Sequence, residues 1–267
     1  MFPEIDLGIF GKVRLMTIVV VIGTVLMVIL VRQAAKRAEK SSPFKERAYI
    51  FPKLYISFFG GYLGALIYDA LFHTAEREAF EFQGIAFYGG LIGGIVTLYL
   101  TMRFMPAYTS FTFLGWLDML TVPFVVFHFF GRIGCFLSGC CYGRVTDSVF
   151  GLHFPDQPEY GLFHNGEKVF PTQLYEALGL LIIIVLLKWV FRKHRLMNYL
   201  ILYPTLRFFV EFLRADNRGG YILSLSPAQI TSLILIMIPI VYYVIKWKGK
   251  RKKPSDFRGR CQPQADR

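Results

Sequence analysis

The chain has 267 residues, 54% of them hydrophobic and 18% charged, and carries a formal net charge of +12 with a mean hydropathy of +0.45. Soluble domains hold about 45–50% apolar and about 25% charged residues, so an ordinary water-soluble domain is excluded. The apolar residues also gather in blocks near the ~20 residues that cross a bilayer core of roughly 30 Å, which predicts an all-α integral membrane protein.

In chain order, seven blocks are predicted to be transmembrane helices: Arg14–Val31, Leu54–His73, Gly84–Met102, Phe113–Phe130, Pro171–Phe191, Met197–Leu213 and Pro227–Trp247. The first runs into VRQAAKRAEK without a small-residue cleavage site, so it reads as a retained helix rather than a signal peptide. GGLIGG in the third block fits helix packing through small residues. The sixth block is interrupted by Arg207 and Glu211.

Basic residues crowd three connections. Arg32, Lys36, Arg37, Lys40, Lys45, Arg47 and Lys53 lie between the first two blocks; Arg192, Lys193 and Arg195 lie between the fifth and sixth; KWKGKRKK follows the seventh. Short basic loops mark the cytoplasmic side, so the N-terminus is expected outside and the C-terminus in the cytoplasm. The positive surplus is then topogenic and meets anionic lipid heads. No nucleic-acid partner is expected, because the basic tail lacks interleaved aromatic residues. One membrane domain is expected over residues 1–253, with an external cap near 144–169 and a disordered basic tail at 254–267.

That orientation brings four polar segments to the outer face: Gln83–Gly90, GRIGCFLSGCCYGR at Gly131–Arg144, FPTQLYEAL at Phe170–Leu178, and RFFVEFLRADNRGG at Arg207–Gly220. The second is expected to be a glycine-broken loop, with Gly131, Gly134, Gly139 and Gly143 allowing left-handed backbone and close ligand approach. Arg132 within it offers a planar fork to a phosphate, or snorkels to lipid heads in general. Arg207, Glu211 and Arg214, spaced i, i+4, i+7, are expected on one helical face. Charges at membrane depth require a partner or a ligand. They form either a structural intrahelical pair or, with Arg132, a clamp for an anion; the nearby arginine loop favours the clamp.

Cys135, Cys140 and Cys141 have C-x4-C-C spacing, with His128, His153 and His164 close in sequence. The paired C-x2-C or H-x3-H elements of zinc sites are missing, so no metal and no cofactor is expected. Packing of small, soft side chains is the favoured reading, with a disulfide or thiol chemistry left open.

GRIGCFLSGCCYG resembles the signature loop of the prolipoprotein diacylglyceryl transferase family. The resemblance runs over nearly the whole chain, through FYGGLIGG, Asp118 followed by Pro123, PTQLYEA, RFFVEFLR and PAQITSL. It implies a bacterial inner-membrane enzyme that moves a diacylglyceryl group from phosphatidylglycerol to the lipobox cysteine thiol of preprolipoproteins. A thioether forms and glycerol phosphate leaves. By the same resemblance Arg132 and Arg207 bind the lipid phosphate, and Glu211 orients an arginine or polarises the site. Gln173, Tyr175 and Glu176 line the cavity and Asp118 supports the loop; Gly131, Gly134, Cys135, Cys140 and Arg214 complete the substrate-binding set.

The chain departs from the family at several positions. Tyr88 stands where better-known members have histidine, Cys135 where they have asparagine, Cys140 where they have glutamate, and Leu66 where an arginine is expected. The first helix reads VRLMT and lacks the family's tyrosine–glycine pair. These departures leave the catalytic base open among Tyr88, a cysteine and Glu211. They also motivate an alternative: a same-fold paralogue transferring a lipid or prenyl group to another acceptor, or a non-catalytic lipid-binding membrane protein.

Overall fold

The computed structural model describes residues 4–6, 12–41, 44–72, 87–105, 112–156, 166–214 and 225–251. Within them lie the helices α1 (Leu15–Ser41), α2 (Phe44–Phe72), α3 (Phe87–Phe104), α4 (Phe113–Leu137), α5 (Thr172–Val185), α6 (Arg195–Glu211) and α7 (Pro227–Arg251). A π-helical turn, Leu186–Val190, prolongs α5. Two small antiparallel hairpins accompany them: β1 (Glu4–Asp6) with β2 (Lys12–Arg14), and β3 (Leu152–His153) with β4 (Lys168–Val169).

Each predicted block overlaps a helix within the described residues. Among the described residues, five stretches are long and apolar enough to cross a membrane: Leu15–Ala38, Ile50–Ile67, Phe113–Leu137, Thr172–Val190 and Ala228–Lys248. In α3 the apolar stretch is shorter, Gly89–Phe104. Large apolar side chains stand exposed along several of these helices, among them Val25 and Ile29 on α1, and Ile234, Ile238 and Ile245 on α7. The chain is a helical membrane protein.

Two expected loops are helical instead. The basic connection after the first block has no glycine or proline between Val31 and Ser41, and its Ala, Lys, Arg and Glu are good helix formers. Accordingly α1 continues through Arg32, Lys36, Arg37 and Lys40, and α2 already includes Lys45, Arg47 and a fully buried Lys53. The second loop, GRIGC, forms the last two turns of α4, which ends at Leu137. Its Ile133, Phe136 and Leu137 extend the apolar helix, and two isolated glycines do not outweigh them.

By its internal contacts the chain divides into two units: Met1–Thr24 with Phe124–Arg267, and Val25–Pro123. In the second unit, α2 and α3 meet backbone to backbone. A Cβ built on Gly64 would lie 2.8 Å from the Cα of Gly93, and one on Gly93 would lie 2.9 Å from the Cα of Gly64. Only glycine permits that approach, which in lipid replaces the missing hydrophobic drive with close van der Waals contact. Ala35, Ala38, Ile50, Leu98 and Trp116 form the buried core of this unit.

In the first unit, α5 buries Thr172, Gln173, Glu176, Ala177, Leu180 and Ile183, while Leu178, Leu181, Ile182 and Val185 are exposed. The buried face is polar through Glu176 and apolar beyond it, while the exposed face is aliphatic, as a lipid-facing surface requires. α6 packs against both α5 and α7. The segment after α4 ties three helix ends together. Gly143 N–H donates to Phe170 O (2.8 Å), Phe170 N–H to Arg144 O (3.1 Å), Arg144 N–H to Leu213 O (2.8 Å) and Thr146 N–H to Lys168 O (2.8 Å). The ends of α4 and α6 and the start of α5 are thereby fixed to one another.

Replacing Gly64 or Gly93 by leucine is expected to force α2 and α3 apart, at a cost of about 1–3 kcal/mol. Gly94→Ala, whose new methyl would sit 3.6 Å from Ser57 O, is expected to leave stability unchanged. Thermal unfolding in detergent measures both.

Candidate active site

A fully buried carboxylate, Glu176, sits near the N-terminal end of α5. Arg132 of α4 places Nη2 3.2 Å from Glu176 Oε1, and Arg207 of α6 places Nε 3.9 Å from the same oxygen. Arg214 reaches the other oxygen, with Nη1 3.8 Å from Oε2. Tyr203 Oη donates to Glu176 Oε1 at 3.2 Å and accepts from Arg132 Nη2 at 3.5 Å. A second carboxylate, Glu211, pairs through Oε2 with Arg207 Nη2 at 2.7 Å and with Arg214 Nε at 3.9 Å. Its Oε1 accepts from Ser226 Oγ at 2.8 Å. Three guanidinium groups thus face two carboxylates, which leaves an excess positive charge. Among the described residues, Arg207 Nη1 is buried without a hydrogen-bond partner.

Helical periodicity builds this cluster. On α6, Tyr199, Tyr203, Arg207 and Glu211 recur every fourth residue and share one face. On α4, His128 stands one turn before Arg132. Tyr199 and Tyr203 stack with ring centroids 5.5 Å apart, His128 Nδ1 lies 3.2 Å from Tyr199 Oη, and the His128 ring meets Tyr203 edge-on at 4.7 Å. This aromatic layer borders the charges and keeps water from them on that side, where ion pairs gain strength.

The thiols lie one helical turn away. Cys135 is in the last turn of α4, and left-handed conformations at Gly139 (φ 70°) and Cys141 (φ 64°) turn the chain back after it. All three Sγ atoms lie within 4.8 Å of one another, and Cys140 Sγ is 3.6 Å from Cys135 O. α5 anchors the turn: Gln173 Nε2 donates to Cys140 O (2.6 Å) and Thr172 Oγ1 donates to Cys141 O (2.9 Å). Interaction with Cys135, then with Cys141, together with burial, pushes the Cys140 thiol well above its ordinary pKa.

Arg132, Glu176, Arg207, Glu211 and Arg214 therefore meet, with Gln173, Cys135 and Cys140 beside them. Arg214 is not on the α6 stripe as expected. The helix ends at Glu211, and Arg214 lies in a β-bridge with Gly143, drawn there by the hydrogen bond from Arg144 N–H to Leu213 O. Of the four glycines expected to be left-handed, only Gly139 is so among the described residues. Gly131 and Gly134 are helical. Open space faces Gly131, while Gly134 packs on Met16, whose Cγ lies 3.3 Å from a Cβ built there. At Gly143 a side chain would strike Leu213 O and Phe170, so this glycine serves close approach. Tyr175 Oη donates to Phe150 O at 3.0 Å, and Asp118 belongs to the second unit. Tyr88 lies in the first turn of α3, with its side chain outside the described residues, as are Gln83–Ala86, residues 215–224 and the tail at 252–267. Tyr203, Ser226 and the His128–Tyr199 pair were not anticipated. The every-fourth spacing of Tyr199, Tyr203, Arg207 and Glu211 is the signal that points to the tyrosines.

Apolar helices around a buried arginine–carboxylate cluster and a thiol-bearing turn define a polytopic membrane protein. The chain belongs to the prolipoprotein diacylglyceryl transferase family, whose model matches residues 5–245. It is similar to proteins named phosphatidylglycerol–prolipoprotein diacylglyceryl transferase. With the one from Chlorobaculum tepidum it is 35% identical over 182 residues, which span 65% of this chain and 59% of that protein. With the one from Clostridium tetani it is 32% identical over 216 residues, 75% of this chain and 84% of that protein. A Clostridium perfringens relative, "transferase 2", is 34% identical over 176 residues, 64% of this chain and 66% of that protein.

Removing a buried partner leaves the remaining charges uncompensated, at a cost of about 3–5 kcal/mol. Glu176→Ala is therefore expected to be strongly destabilising, and Glu176→Gln, which keeps the shape and some hydrogen bonds, less so. Unfolding of the two variants in detergent measures the difference.

Proposed function

We propose that the chain is a phosphatidylglycerol–prolipoprotein diacylglyceryl transferase. It moves the diacylglyceryl group of phosphatidylglycerol to the thiol of a preprolipoprotein lipobox cysteine, forms a thioether and releases glycerol phosphate. The observation that carries this reading is the convergence of Arg132, Arg207 and Arg214 on one buried carboxylate, Glu176, with a spare donor on Arg207.

The chemistry follows from that arrangement. A phosphate monoester leaves an alkyl carbon only when its developing charge is stabilised. Fixed guanidinium donors in a water-poor site do this without reorganising at the moment of reaction. Glu176 holds the three groups in place before the lipid arrives, and Glu211 orients Arg207 through their 2.7 Å contact. The incoming phosphodiester takes up donors that Glu176 and Glu211 leave unused. The acceptor thiol, with an ordinary pKa of about 8.5, must become a thiolate to attack.

The same reading covers topology. The seven helices cross the bacterial inner membrane with the N-terminus outside and the C-terminus cytoplasmic, following the basic segments. Residues 1–253 form the membrane domain, the segment 144–169 is an external cap, and 254–267 is a cytoplasmic tail. The site opens toward the outer leaflet, where lipid donor and exported acceptor meet.

Arg132→Ala and Arg207→Ala are each expected to lower transfer at least ~100-fold, the scale of losing one preorganised charge-stabilising donor. Arg207→Lys should recover only part, since it keeps the charge but not the fork. The assay is the diacylglyceryl mass gain on a lipobox peptide incubated with the purified chain and phosphatidylglycerol. Full activity in either alanine variant removes the phosphate clamp.

A further inference from the structure

We propose that Cys135, Cys140 and Cys141 together bind one zinc ion and leave its fourth coordination position open. Two observations carry it, the grouping of the sulfurs and the anchoring of the turn that presents them. The three sulfurs form a mutual group, all within 4.8 Å of one another, rather than a bonded pair with a bystander, and none is in a disulfide. Sulfurs ~2.3 Å from a tetrahedral zinc lie about 3.8 Å apart, which this triangle accommodates with sub-ångström adjustment. The turn that presents them is held by buried side chains of α5, through Gln173 to Cys140 O and Thr172 to Cys141 O, and it accepts a left-handed backbone at Cys141, a residue with a side chain. Adjacent thiols of this softness, half-buried and preassembled, select a thiophilic ion.

The charges agree. Three thiolates with a divalent ion carry one net negative charge, and they sit one helical turn from a cluster with excess positive charge, since Cys135 follows Arg132 by three residues on α4 and Gln173 precedes Glu176 by three on α5. The spacing gave no such signal, because the approach of Cys135 to the adjacent pair is made by the turn at Gly139 and Cys141.

An open fourth position next to an arginine clamp assigns the ion a role, and that role rests on the transferase reading. The acceptor cysteine binds zinc through sulfur and releases its proton to water, because a coordinating thiol is deprotonated outright. The sulfur electron pair then forms the C–S bond to the glyceryl carbon. The C–O bond to phosphate breaks, and its pair leaves on the phosphate oxygen as glycerol phosphate. In this way the chain generates a thiolate with its own cysteines.

The test uses the full chain, purified anaerobically in detergent after growth with zinc. Elemental analysis is expected to find about one zinc per chain, falling close to zero in Cys135→Ser and Cys140→Ser. Cobalt exchanged into the wild-type chain should show thiolate charge-transfer bands and the visible bands of a tetrahedral site, independent of any variant's folding. A lipobox peptide should shift those bands, and the same peptide with serine at the lipobox cysteine should not. The site is overturned if the wild-type chain holds no zinc and shows no cobalt bands, or if peptide mapping finds two of the three thiols joined in a disulfide. Transfer that survives complete zinc removal overturns the role while leaving the transferase reading intact. Zinc binding without any transfer overturns that reading and leaves the metal site standing.

Discussion

The charged cluster of the first unit is arranged around one buried carboxylate. Glu176 has no exposure to solvent, yet guanidinium groups from α4, from α6 and from the strand-like residue after α6 approach it within 3.2–3.9 Å. Taken alone, three such cations at membrane depth repel one another and are strongly disfavoured in hydrocarbon. A single anion among them, with Glu211 as a second, makes their convergence tolerable. The two carboxylates do not neutralise the set, and the proposed function assigns the remaining positive charge to an anionic lipid headgroup.

The rest of the unit serves to keep that cluster in register. The exposed face of α5 is aliphatic and its buried face begins polar, so the helix presents Thr172, Gln173 and Glu176 inward without sacrificing contact with lipid. The backbone hydrogen bonds of Gly143, Arg144 and Phe170 fasten the end of α4 to the start of α5 and the end of α6. Gly143 is required because no side chain fits against Leu213 and Phe170. In the second unit the same economy of space appears between α2 and α3, where glycine meets glycine. Small residues supply close backbone approach wherever a hydrophobic drive is missing.

Much of the fold was legible because lipid imposes a simple rule: an apolar block of the right length becomes a helix. Hence each block overlapped a helix, and the arginines at 132, 207 and 214 stood out as costly in such surroundings. The extents were harder to read. Nothing in AAKRAEKS breaks a helix, so charge marked a loop where propensity continued α1 to Ser41. Glycines in GRIGC suggested a broken backbone, whereas Ile133, Phe136 and Leu137 carried α4 through them. The family resemblance marks Glu176 only as a lining residue, since its central position depends on three helices meeting, which no local pattern encodes. Tyr203 lay on the same face as Arg207 by simple spacing and was open to inspection. The meeting of Cys135 with Cys140 and Cys141 depends on two left-handed residues, one of them not glycine, and that conformation has no reliable signature in sequence.

The most direct measurement is an experimental structure of the chain with a phosphonate analogue of phosphatidylglycerol that cannot release its headgroup. The account predicts the phosphonate oxygens within hydrogen-bond distance of Arg132 and Arg207, with Glu176 still contacting both side chains. A headgroup bound away from these arginines, or arginines turned toward separate compartments with no lipid-accessible opening between them, would contradict it.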